Sequence, residues 1–108
     1  MNNAARIAAL NDAFRANPSL GTFVLTAGIL TDMPQDVEAI LNKVRTFKDF
    51  NESDDPYGEH DFGAFDFKGK KIFWKIDYYD RNFELASPDA ADESITNRVL
   101  TVMYADEY

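Results

Sequence analysis

The sequence predicts an α+β domain, an antiparallel sheet of three to four strands with about three helices packed on one face. Three observations predict it. Apolar residues recur at spacings of three and four in two segments, period-two alternation marks a hairpin in the middle of the chain, and turn-forming residues separate these segments. The 108 residues are 45% hydrophobic and include nine Phe, five Tyr and one Trp, enough material for one core, so residues 1–108 are read as a single domain.

Ile7, Leu10 and Phe14 form the stripe of an amphipathic helix that Asn17-Pro18 ends. Gly21 to Ala27, rich in β-branched and aromatic residues and bounded by Gly21 and Gly28, reads as a strand. A second helix is expected to start at Asp32, with Pro34 in its first turn and Gln35 three residues on, and to place Val37, Ile40, Leu41, Val44 and Phe47 on one face. From Lys48 to Asp61 periodicity disappears and Asn, Ser, Asp, Pro and Gly dominate, which predicts a long ordered loop of the kind that carries function.

Alternation returns over Phe62 to Phe67, and Lys68-Gly69-Lys70 supplies the turn of a hairpin. The return strand, Lys71 to Tyr79, places Ile72, Trp74, Ile76 and Tyr78 on one face and Phe73, Lys75, Asp77 and Tyr79 on the other. Phe83 to Leu85 is read as a short additional strand. After Asp89 and Asp92 a final helix is expected, on the shared face of Ile95, Val99, Val102 and Met103.

The net charge of −8 is unevenly placed. Residues 1–50 carry five acids against five bases, whereas residues 51–108 carry fourteen acids against six bases. Direct binding to nucleic-acid phosphate is therefore disfavoured, and a basic partner or a cation is favoured. The absence of Cys removes disulfides and thiolate metal sites and fits a reducing compartment. No apolar run approaches the length of a membrane span and the first residues lack the pattern of a signal peptide, so a cytoplasmic protein is expected, with no membrane partner. The sequence specifies no oligomeric state, and the sequon Asn51-Glu52-Ser53 has meaning only in a secreted chain.

Three segments carry a resemblance: Asp55-Pro56-Tyr57-Gly58-Glu59-His60-Asp61-Phe62-Gly63, Phe73-Trp74-Lys75-Ile76-Asp77-Tyr78-Tyr79-Asp80 and Arg98-Val99-Leu100-Thr101. Over about Leu25 to Tyr108 the chain resembles a small bacterial family classed as a domain of unknown function. The resemblance implies a small cytoplasmic bacterial protein, found in genomes, plasmids and phages, and brings no catalytic residues with it.

The loop and the hairpin hold the candidate site. Glu59, His60 and Asp61 are suitable ligands for Zn, Mn, Fe or Ni, with Asp54, Asp55, Asp77 or Asp80 as further donors, although in extended backbone His60 would face away from its neighbours. Against this stands a structural role, in which Asp55 makes a turn before Pro56 and Gly58 takes positive φ. An EF-hand is excluded: Asp49, Asn51 and Ser53 fit its first, third and fifth positions, but Asp54 stands where Gly is needed and His60 where Glu is needed. General acid-base catalysis would require His60 beside a carboxylate in a cleft. No phosphate loop, nucleophile elbow or His-Glu-x-x-His is present.

Exposed tyrosines among acids resemble a recognition surface, in which aromatics anchor and charges steer. The leading expectation is a non-enzymatic interaction module without a cofactor, whose surface of Asp54, Asp55, Tyr57, Glu59, Asp61, Asp77, Tyr79 and Asp80 binds a basic protein surface, such as that of a nucleic-acid-binding protein. A phage- or mobile-element-type inhibitor that mimics DNA is its concrete version. The alternative is a metal-dependent hydrolase using Glu59, His60 and Asp61 and a divalent metal.

Overall fold

A ten-residue strand, Lys70–Tyr79, runs through the middle of the sheet and carries the residue around which the core is built, the fully buried Trp74. The computed structural model describes residues 3–108. In chain order the regular elements are α1 (Asn3–Ala16), β1 (Thr22–Leu25), α2 (Ala27–Asp32), α3 (Val37–Arg45), β2 (Phe62–Phe67), β3 (Lys70–Tyr79) and β4 (Asn97–Tyr104), with short 3₁₀ turns at Pro18–Leu20, Glu93–Ile95 and Ala105–Glu107. The architecture is the expected α+β class.

The strands lie in the order β1-β4-β3-β2. β2 and β3 form the expected hairpin, with Phe65 opposite Ile72 and Gly63 opposite Trp74, and Gly69 takes the positive φ of 79° that its turn requires. β3 and β4 are also antiparallel, whereas β1 runs parallel to β4, so the sheet is mixed rather than purely antiparallel. The parallel pair follows from chain path, since everything from α2 to β3 lies between β1 and β4 in sequence and brings the chain back in the same direction.

Alternate residues of the strands face the helices. Ile72, Trp74 and Ile76 of β3 and Leu100 and Val102 of β4 cluster with Phe14 of α1, Ile29 of α2, and Ile40 and Val44 of α3. Phe14 meets Phe23 edge-on at 5.1 Å, which ties α1 to β1. At Gly63 the sheet and the indole approach so closely that a Cβ would overlap Trp74 and press on Phe47, which is why no larger residue stands there. The other face, with Phe73, Lys75, Asp77 and Tyr79 of β3, is only partly buried, and Phe62, Phe73 and Tyr108 pack edge to edge on it.

Three expectations are corrected. The final helix is instead the strand β4, in which Arg98, Leu100 and Val102 are buried at every second position. The helical spacing of Ile95, Val99, Val102 and Met103 coincided with a β-branched, period-two segment, and pairing along β3 decided the outcome. Phe83–Leu85 forms no strand: the Asp80 carboxylate accepts from the amides of Asn82 and Glu84 and curls the chain into a turn, leaving one isolated bridge between Tyr79 and Ala86. The region of the second helix holds two, with Asp32 ending α2 and Asp36 preceding α3, and the strand before them stops at Leu25. Among the described residues no helix is long and apolar enough to cross a membrane.

Candidate functional site

The loop between α3 and β2 is held at both ends and in its middle. Asn51 makes an Asx turn, accepting the Asp54 amide at 2.9 Å, and Gly58 adopts φ 69° to close the next turn onto the Asp55 carbonyl at 3.2 Å. Asp55 is buried at 7% exposure, and its carboxylate accepts the His60 amide at 3.2 and 3.3 Å. The capping role weighed against metal binding at Asp55 and Gly58 is thus what these two residues perform. Phe50 anchors the other side, edge-on to Phe47 and Trp74 and stacked on the His60 ring at 3.9 Å.

Glu59, His60 and Asp61 diverge to three neighbours. His60 sits at φ 56°, a left-handed conformation that few non-glycine residues adopt, and this breaks the simple alternation of extended chain. Glu59 turns inward, where its carboxylate accepts from the Tyr78 hydroxyl at 3.0 Å and its carbonyl accepts from Asn11 at 3.0 Å. His60 turns to α1, with Nδ1 at 2.9 and 3.1 Å from the Asp12 carboxylate oxygens. Asp61 continues the β2–β3 ladder by accepting the Ile76 amide at 2.8 Å. The metal set of the alternative reading is not brought together on this loop, and among the described residues no group of three or more His, Cys, Asp or Glu side chains is placed to hold a metal ion.

A buried polar network backs the loop. Arg98 donates to Asn11 at 2.7 Å, Asn11 donates to the Tyr78 hydroxyl at 2.9 Å, and the Arg98 guanidinium lies 5.2 Å from the centre of the Tyr78 ring. Burial pushes the Tyr78 phenol far above its ordinary range, so it remains a neutral donor to Glu59. Arg15, also buried, donates to the carbonyls of Val44 and Phe47 at 2.7 and 3.0 Å and to Asp12 at 2.9 Å, closing the C-terminal end of α3.

On the outer side, the loop and β3 enclose an open cleft of about 390 Å³ lined by Asp54, Tyr57, Asp61, Lys75, Asp77 and Tyr108, among others. Tyr57 is 80% exposed, and Tyr108 is 75% exposed while its ring meets Phe62 and Phe73 edge-on. Burial, together with the neighbouring charges of Glu59, Asp55 and Asp77, raises the Asp61 carboxyl above its ordinary range. Lys75 reaches Asp77 at 2.7 Å, and that hydrogen bond holds its ammonium above the usual lysine value.

Four of the eight residues expected to form an interaction surface, Asp54, Tyr57, Asp61 and Asp77, therefore share this cleft. Asp55 and Glu59 are taken up inside the fold, Asp80 caps a turn, and Tyr79 lies half-buried against Phe83 on the open sheet face. The sequence reading missed Asn11, Asp12, Arg15, Arg98 and Tyr108. A signal existed for two of them: Asn11 and Arg15 fall on the helix face of Ile7 and Phe14, and polar residues on an apolar stripe mark buried hydrogen bonding.

The family model described as protein of unknown function (DUF3768) matches residues 25–107, and the chain belongs to that family. No curated protein and no solved structure matches the chain.

Proposed function

We propose that this member of the family is an interaction module whose acidic, tyrosine-flanked cleft receives a cationic side chain, Arg or Lys, from a protein partner. The observation that carries the reading is the convergence of Asp54 and Asp61, beside an Asp77 that is paired with Lys75, and of the exposed Tyr57 and Tyr108 around one open cleft. Carboxylates supply charge-assisted acceptors for a guanidinium or ammonium, and tyrosine faces add cation–π attraction and apolar contact for the aliphatic stem. Burial first, and then the neighbouring carboxylates, raise the Asp61 carboxyl, and an arriving cation stabilises its charged form, so the cleft prefers positive ligands. A net charge of −8 steers such partners toward the chain.

A mimic of DNA, the narrower form of the same idea, needs a row of free carboxylates. Asp55, Glu59 and Asp80 are engaged by hydrogen bonds within the chain, so a cleft for single cationic side chains is the form favoured. A hydrolase with Glu59, His60 and Asp61 around a metal gains no support, since Glu59 is bonded to Tyr78 and His60 to Asp12 while Asp61 lines the outer cleft. The test is calorimetric titration with an arginine-rich peptide. Tyr57→Ala and Asp61→Asn should each weaken binding about tenfold, in keeping with the loss of one aromatic or charged contact. Unchanged affinity in both variants would remove the cleft from the account.

A further inference from the structure

On the opposite side of the loop from the acidic cleft lies a second concavity of about 320 Å³, lined by Asp12, Arg15, Arg45, Lys48, Phe50 and His60, among others. Its charge is opposite to that of the chain: three basic side chains against one carboxylate, in a protein of net charge −8. We propose that this cleft binds the phosphate group of a small phosphate monoester, with Arg45 and Lys48 as its donors and the His60 ring beside them.

Asp12 does not oppose an anion here, because its charge is already used. It accepts from Arg15 at 2.9 Å and from His60 Nδ1 at 2.9 Å. An ionised carboxylate can only accept, so Nδ1 carries the proton and Nε2 is the nitrogen left for a ligand. Among the described residues nothing else bonds Nε2. The ring is held flat on Phe50, 3.9 Å away and within 3° of parallel, and the side chain remains 32% exposed. The left-handed backbone of His60, φ 56°, together with the Asp55 carboxylate on its amide, fixes the ring in this place.

Lys48 forms no ion pair or hydrogen bond among the described residues, and Arg45 meets only Glu38, at 3.8 Å. Lys48 is free to turn to a ligand at the rim, and Arg45 would exchange the exposed Glu38 for it. Arg15, Arg45 and Lys48 against Asp12 leave an excess of two positive charges, which matches a dianion, and a monoester is one at neutral pH whereas a diester is not. Phe47 and Phe50 offer an apolar wall for the organic part of the ester. The acidic balance of residues 51–108 works against a long polyanion and favours a small ligand. This site is independent of the acidic cleft.

The chain has one His, so its imidazole nitrogens give one set of ¹⁵N signals. Titration with phenyl phosphate at fixed pH and ionic strength should shift these signals saturably, and Arg45→Gln with Lys48→Gln, both at the rim, should weaken the response at least about tenfold. A response no larger than that to sodium chloride, or an undiminished response in the double variant, would overturn the proposal. Equal affinity for dimethyl phosphate would overturn the assignment to a dianion.

Discussion

Arg98 of β4 donates from Nε to the side-chain oxygen of Asn11 on α1 at 2.7 Å, and both side chains are buried. Through this one contact the last strand, the first helix and the candidate loop become parts of a single hydrogen-bonded unit, because Asn11 also donates to the Tyr78 hydroxyl and to the Glu59 carbonyl. A neutral amide suits the position. It accepts from a cation with its oxygen and donates to two oxygens with its nitrogen, a combination that neither Asp nor Lys provides.

Asn11→Ala is expected to destabilise the fold by about 2–4 kcal/mol, since it leaves the Arg98 Nε–H, the Tyr78 hydroxyl and the Glu59 carbonyl short of partners in a buried setting. Chemical denaturation of the two proteins measures this. A loss under about 0.5 kcal/mol, the range of an ordinary surface substitution, would mean that the network is not energetically coupled.

Gly63→Ala should cost about 1–3 kcal/mol, because the added methyl meets the Trp74 indole and Phe47 in a core with no space to yield. Trp74→Phe removes the obstructing ring edge. In a double-mutant cycle the pair should therefore be more stable than the sum of the single changes, by at least about 0.5 kcal/mol. Additive costs would place the strain somewhere other than the Gly63–Trp74 contact.

The acidic cleft predicts a pH dependence of definite sign. Burial and then Glu59 raise the Asp61 carboxyl above its ordinary 3.8, so in the window above that value the folded chain holds a proton that the unfolded chain has released. This contribution falls as pH rises through the window, and at neutral pH an ionised Asp61 lowers stability. Asp61→Asn should therefore be more stable than the parent at pH 7, with the difference vanishing below about pH 3.8. Melting curves of both proteins across pH 3–8 check it, and a less stable Asn variant at pH 7 would reverse the sign.

Much of this fold was legible in the sequence where one period dominated. The β2–β3 hairpin declared itself through strict alternation, and Trp74 was placed on the correct face by that pattern. β4 was hidden because its alternation is broken at a buried Arg98, so that apolar residues alone suggested a helix face. Distance in sequence concealed the rest of the site. Loop residues rich in acids and aromatics were conspicuous, but Asp12 reaches His60 across 48 residues, and no local pattern joins them. The left-handed backbone at His60 depends on the same tertiary contacts, which is why Glu59, His60 and Asp61 were read together and part company in the fold.

Arg15→Lys is expected to loosen the loop rather than the sheet. The guanidinium holds the Val44 and Phe47 carbonyls and lies 4.9 Å from the centre of the Trp74 ring and 5.3 Å from that of Phe50. An ammonium cannot reproduce that planar fork, and the change should cost about 2 kcal/mol. Limited proteolysis should then cut faster between residues 51 and 58. Cleavage at the parent rate would separate Arg15 from the loop's order.

The most direct test of the cationic-ligand account is a backbone NMR map of the protein titrated with a short arginine-rich peptide at moderate salt. The cleft reading predicts saturable shifts centred on Asp54, Tyr57, Asp61, Lys75, Asp77 and Tyr108, largely lost in Tyr57→Ala. Shifts scattered over all acidic positions, or centred on Asp89, Asp92 and Glu93 instead, would contradict it.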